Sequence, residues 1–179
     1  GTPPPQDAPP VEGEEFIAMI NADTYDNSLY LVRPVINDAE TDIVQLSTTQ
    51  VHTNTGNPIS VTDDGSLVLF IDSENYIRVT NGAQEEMVST DGVWQSIALS
   101  PSGSKLAATT VYEDSSIYIF DLDNSDNSKI VQLYTPTTVQ GVRAYNTVYA
   151  DALDWDFSGE FLLYDAFNRI PQATGEAIE

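Results

Sequence analysis

Three segments of this chain repeat one pattern, and that repetition constrains the fold more than any other feature. They are PISVTDDGSLVLFIDSENYIRVTN (58–81), QSIALSPSGSKLAATTVYEDSSIYIFDL (95–122) and DALDWDFSGEFLLYDAFNRI (151–170). Each runs strand, tight turn ending in glycine, apolar strand, polar gap, further strand. The turns TDDG (62–65), SPSG (100–103) and DFSG (156–159) align, so Gly65, Gly103 and Gly159 share one place in the repeat. A strand-to-strand turn of this kind needs a residue at positive φ, which glycine adopts at little cost. Pro101 presets φ at the second turn position, and neighbouring Ser or Asp side chains can bond back to the turn. The wider spacing between Gly103 and Gly159 is read as an extra loop over 136–150.

The remaining sequence has the same texture. EFIAMI (15–20), SLYLVRPVI (28–36), DIVQL (42–46) and KIVQLYT (129–135) are short and rich in β-branched and aromatic residues. Gly, Asn, Asp and Ser fill the gaps. No stretch keeps a 3.6-residue period over three turns, so the chain reads as all-β. Residues 1–14 hold five of the ten prolines and several acids, and read as an extended tether outside the fold. The folded part then divides into four units, 15–48, 58–90, 93–135 and an incomplete 148–179.

Charge excludes some partners. The chain has 28 acidic and 6 basic residues, a net −22. Nucleic acid and anionic lipid must be met by Lys or Arg, so neither is expected as a partner. The longest apolar runs are strand-sized, and membrane insertion is not expected. There are no cysteines, hence no disulfides, thiol nucleophiles or thiolate metal sites.

The stretch ALSPSGSKLAATTVYEDSSIYIFDLDN resembles the repeat of TolB-like, WD40-like β-propellers. Ala98, Ser100, Pro101, Gly103, Leu106, Ile117, Tyr118 and Asp121 carry the resemblance, with Ser102 where that repeat usually has Asp. Block 151–167 matches at Asp156, Phe157, Ser158 and Gly159, and block 58–81 at Asp63, Asp64 and Gly65. The resemblance implies about four blades of four-stranded antiparallel sheet, within a larger ring of roughly six to eight blades. The remaining blades of that propeller are then themselves an expected partner. It also implies an extracytoplasmic setting, the periplasm or cell surface, with the N-terminal stretch as a tether that could follow a lipid anchor.

Several groups invite chemical readings. The loop DLDNSDNS (121–128) places Asp121, Asp123, Asn124 and Asp126 close together, oxygen ligands of the type Ca²⁺ takes; equally, these are turn-forming residues, and the EF-hand spacing is absent. NADTYDNS (21–28) is a weaker version. His52 is the only imidazole, and no G-x-S-x-G elbow accompanies it, so no catalytic triad is expected. Asp154 and Asp156 share a strand face, but the repeat puts them at a blade turn. The long segment GVRAYNTVYAD (141–151) brings Arg143, Tyr145, Tyr149 and Asp151 into a connection between units, where propellers dock ligands. Trp94 and Trp155 read as core.

These observations favour a non-catalytic propeller that binds a protein or peptide through its inter-blade loops. An accessory propeller of a larger prolyl-oligopeptidase-like hydrolase and a glycan-binding module are the alternatives. A repeat scaffold alone does not choose among them.

Overall fold

A computed structural model describes residues 17–20, 28–33, 42–52, 56–133, 146–171 and 177–178. Among these the chain is all-β, with one 3-10 turn at Ser125–Asn127. The first sheet holds β1 (Ile17–Ile20), β2 (Leu29–Arg33) and β3 (Asp42–Ser47). A second, four-stranded sheet holds β4 (Ile59–Val61), β5 (Val68–Ile71), β6 (Ile77–Thr80) and β7 (Glu85–Met87). The third repeats that plan with β8 (Trp94–Leu99), β9 (Lys105–Thr110), β10 (Ser116–Asp121) and β11 (Lys129–Gln132). All three are antiparallel meanders with strands in chain order.

The fourth unit is built differently. Its strands are β12 (Asn146–Tyr149), β13 (Leu153–Trp155), β14 (Leu162–Tyr164), β15 (Phe167–Pro171) and β16 (Ala177–Ile178). β13 pairs with β14, and β12 pairs with β15, so 146–155 and 162–171 form one long hairpin closed by the DFSG turn. The ladder breaks between Ala150 and Ala152. There the Asp165 carboxylate accepts from the N–H groups of Asp151 (2.8 Å) and Ala152 (3.0 Å), replacing the missing backbone partners. The loop expected through residue 150 therefore gives way to strand at 146–149. Backbone pairing with β15, burial of Thr147 and stacking of Tyr149 on Phe167 order a sequence that has little apolar alternation. The tether at 1–14 lies outside the described residues.

The sheets stack face to face in chain order, and each interface has its own apolar cluster. Leu29 of β2 packs with Val68 and Phe70 of β5. Leu69 and Ile71, on the other face of β5, pack with Ile97 and Leu99 of β8 and Leu106 of β9. Ala98 and Ala107 then face Leu153 and Trp155 of β13. A strand covered on both sides must be apolar throughout, which is why β5 reads VLFI and is wholly buried. β1 lies beside β4, β4 beside β8, and β8 beside β13, so the leading strands of successive sheets run side by side. Trp94 closes the second interface from within the third sheet, edge-on to Tyr118 (5.4 Å) and Phe120 (5.5 Å).

One six-residue turn recurs three times with the same bonds. Its first residue donates its N–H to the carbonyl five residues on: Thr62 to Leu67 (3.0 Å), Ser100 to Lys105 (2.8 Å), Asp156 to Phe161 (2.9 Å). The side-chain oxygen of that first residue accepts the returning N–H, at 3.1, 2.9 and 2.9 Å respectively. The glycine donates back to the first residue's carbonyl and sits at φ of 68°, 76° or 67°. The turns also stack on one another. Asp63 N–H donates to Pro101 O (3.2 Å), and a Cβ on Gly103 would lie 3.0 Å from the Thr62 methyl.

Gly103 thus answers two demands, a positive φ and a close approach. We expect Gly103→Ala to destabilise the fold by about 1–3 kcal/mol. Ser102→Ala, at the exposed neighbouring position, should stay within about 0.5 kcal/mol of wild type. Urea denaturation of the two variants makes the comparison.

Candidate functional site

The third sheet is four strands wide, whereas the part of the fourth unit facing it, β13 and β14, is only two. The outer strands of the third sheet are therefore left uncovered on that face, and a crevice of about 490 Å³ opens there. Its third-sheet wall carries Lys105, Ile119, Asp121 and Lys129; Trp155, Glu160 and Leu162 form the other side. The volume falls in the ordinary range for small-ligand sites.

Lys105 holds the crevice together. Its ammonium donates to the Gly159 carbonyl at 2.8 Å and lies 5.6 Å from the centroid of the Trp155 ring. Cation–π attraction of this kind is worth about 0.5–1 kcal/mol at a partly exposed site. The indole is itself fixed: Trp155 Nε1–H donates to the buried Ala98 carbonyl at 3.0 Å. In the second sheet the position matching Lys105 is Leu67, which packs on the third sheet. Leu67 borders a smaller crevice of about 170 Å³ on its own sheet, so the lysine at the matching position makes the larger opening cationic. With Lys129 it also gathers two of the chain's six basic residues at one opening.

Asp121 lines the same crevice, but most of its acceptor capacity faces its own loop. It accepts from Asn127 Nδ2 (3.2 Å) and from the N–H groups of Asn124 (2.9 Å) and Asp123 (3.1 Å). The Asn127 side chain leads in holding this carboxyl below the usual range, with nearby Lys105 adding charge. Asn124 Oδ1 accepts from the Asp126 N–H (3.2 Å), and Asp123 and Asp126 are exposed. Among the described residues no three His, Asp or Glu side chains are arranged to hold a metal ion. Of the four residues that suggested Ca²⁺, Asp121 and Asn124 accept turn hydrogen bonds through their side-chain oxygens.

The other sequence candidates separate. Arg143 and Tyr145 lie outside the described residues. Tyr149 stacks on Phe167, with ring centroids 4.8 Å apart and planes 7° apart. Asp151 accepts from Gln95 Nε2 at 3.1 Å, a polar link from the fourth unit to β8. Neither Tyr149 nor Asp151 lines the crevice. Asp64 and Asp156 both serve their turns, their carboxyls lowered first by the hydroxyls of Ser66 and Ser158. His52 donates its backbone N–H to Ile71 O at 2.8 Å, beside the Val51–Asp72 bridge. Sequence reading missed Lys105 and Lys129. The aligned repeats held the signal for the first, since Leu67, Lys105 and Phe161 occupy one position.

Neither models of known protein families nor functionally characterised proteins give a match to this sequence.

Burial, and secondarily the nearby Asp165 charge, raises the Asp151 pKa above its ordinary 3.8. A carboxyl raised in the folded state supports folding fully below its ordinary value, and that support is lost as pH rises through the raised one. At neutral pH the charged Asp151 therefore weakens the fold. We expect Asp151→Asn, which keeps an acceptor for Gln95, to raise the unfolding midpoint near neutral pH. The gain should vanish at about pH 3, below the ordinary carboxylate value. Thermal unfolding of both proteins at the two pH values reads this out.

Proposed function

We propose that this chain forms blades of a non-catalytic β-propeller, and that it binds an extended peptide segment of a protein partner at the crevice between its third and fourth sheets. The propeller reading is supported by the order of stacking. Successive antiparallel sheets pack face to face with their leading strands side by side, as blades around an axis do. The recurring turn with its TolB-like residues agrees with it. The reading brings an extracytoplasmic location with it, in keeping with the Pro-rich N-terminal stretch.

The observation that carries the binding role is the character of β11, which borders the crevice. β11 is the terminal strand of the third sheet among the described residues, and all four of its residues are exposed. Edge strands usually carry devices against further pairing. The matching edge β7 has Glu85 and Glu86. β11 has Ile130 and Val131 instead, 62% and 40% exposed, with Lys129 at its start. An edge that is unpaired among the described residues and exposes Ile130 and Val131 beside a concave site suits strand addition. The peptide backbone completes the ladder, and side chains at alternate positions enter the crevice. Lys105 and Lys129 supply cationic contacts, and the Trp155 ring an apolar wall, for a peptide carrying acidic and apolar residues in alternation.

Peptide display against the immobilised chain tests this. Peptides enriched on the wild-type protein should bind Lys129→Glu at least tenfold more weakly and Glu86→Lys, on the second sheet, unchanged. Failure to enrich any peptide, or equal binding to Lys129→Glu, would contradict the proposal.

A further inference from the structure

Asn81 is the only asparagine of the chain followed by glycine. It opens the turn from β6 to β7, and residues 81–84 are all exposed. An asparagine side chain and the next main-chain nitrogen can close on each other to form a five-membered imide. A following glycine leaves that nitrogen unshielded, because it has no Cβ. The turn itself demands the glycine: Gly82 holds φ at 83°, and a Cβ there would lie 3.2 Å from a Leu46 methyl. The fold therefore retains the residue that makes Asn81 reactive.

The turn also activates the side-chain carbonyl. Asn81 Oδ1 accepts from the N–H groups of Ala83 (2.9 Å) and Gln84 (2.8 Å). Attack at Cγ builds negative charge on this oxygen, and two main-chain donors already aimed at it stabilise that charge. One contact opposes the reaction, the bond from the Gly82 N–H to Thr80 Oγ1 at 3.0 Å. Thr80 is buried, but Gly82 lies in the exposed turn, where local opening frees its nitrogen without unfolding the sheet.

We infer that Asn81 is a site of spontaneous deamidation in the folded protein, and that its isoaspartyl product unlatches β7. The Gly82 nitrogen loses its proton to hydroxide and bonds to Asn81 Cγ; the Cγ–Nδ2 bond breaks and ammonia leaves. Water then opens the imide at one of its two carbonyls. One opening leaves aspartate, whose carboxylate keeps both N–H bonds. The other leaves isoaspartate, in which the main chain runs through the β-carbon and gains a methylene. That insertion falls next to the Thr80–Glu85 pair that closes the turn, so the register of β7 on β6 is lost. β7 carries Glu85, which accepts from Arg78 at 3.2 Å and from the Ser47 hydroxyl at the end of β3. The tie between the first two sheets loosens with it.

Incubation of the full chain at neutral and at mildly alkaline pH tests both parts, read by mass spectrometry with fragmentation that separates aspartate from isoaspartate. The mass gain of an amide-to-acid exchange should appear at position 81 before any other asparagine, and sooner at the higher pH. The folded chain should convert within about tenfold of the rate of the urea-unfolded chain. Asn81→Gln should show no conversion at that position. In hydrogen exchange, the isoaspartyl form should lose protection at the Val88 amide, which bonds Ile77 O, and keep it at the Ser100 amide of the third sheet. Asn81→Asp should keep both. A folded chain that stays intact at Asn81 while the unfolded chain converts would overturn the site. Unchanged Val88 protection in the isoaspartyl form, or its loss in Asn81→Asp, would overturn the unlatching.

Discussion

The stacking of one turn upon the next is the interaction on which the rest of the structure depends. At the second interface it has three parts: the Asp63 N–H bond to Pro101, the Thr62 methyl against Gly103, and Leu67 beside the same glycine. At the third, Gly159 lies against Ser100 and Pro101 while Lys105 bonds its carbonyl. Each turn also closes itself through its first side chain, so its shape does not depend on its neighbours. Rigid turns in a column set the spacing of the sheets, and the spacing decides which residues can fill the interfaces. Large apolar residues meet between the second and third sheets, while alanines on the third meet a tryptophan from the fourth.

Part of the chain's acidity serves the same architecture: at least five of its 28 acidic residues accept hydrogen bonds from backbone N–H groups. Asp64, Asp121, Asp156 and Asp165 each close a turn or a break in a ladder. Asp72 is the buried case: it accepts from the N–H groups of Glu74 and Tyr76, and Arg78 Nε lies 2.6 Å from its other oxygen. Arg78 reaches on to Glu85, which accepts from Ser47 at the end of β3 at 2.5 Å and so ties the first sheet to the second. A buried carboxylate with this many donors is tolerated, whereas an unpaired one is costly. The scarcity of cations then gives Lys105 and Lys129 their weight. They stand together at the one place where the fourth unit fails to cover the third sheet.

Much of this was legible from the residues, because the relevant signals are local. Turn glycines, the Ser, Thr or Asp that opens each turn, and apolar runs such as VLFI follow from φ preferences and two-sided burial. β7 gave no such signal: Glu85, Glu86 and Met87 are all exposed, and the strand exists by pairing with β6. β12 was likewise hidden, since its order comes from β15, some twenty residues on. The crevice was out of reach for a different reason. It forms because one sheet is narrower than its neighbour, and width is set by long-range pairing. Even so, a lysine at the repeat position where another sheet has Leu67 marked the spot. The stacking of Tyr149 on Phe167 and the bond from Gln95 to Asp151 join segments far apart in the chain, and the local sequence carries no sign of either.

Residue-resolved hydrogen exchange tests the turn column most directly. The amides of Leu67, Lys105 and Phe161 make the same bond to the first side chain of their turns. They differ in cover, since further sheets stack on the first two turns while no described residues cover the face beyond the third. If stacking carries the stability, Leu67 and Lys105 should exchange only with global unfolding in dilute monomeric protein, and Phe161 much faster by local opening. Uniformly fast exchange at all three, or Phe161 protected as strongly as Lys105, would show that the turns do not hold the sheets in series.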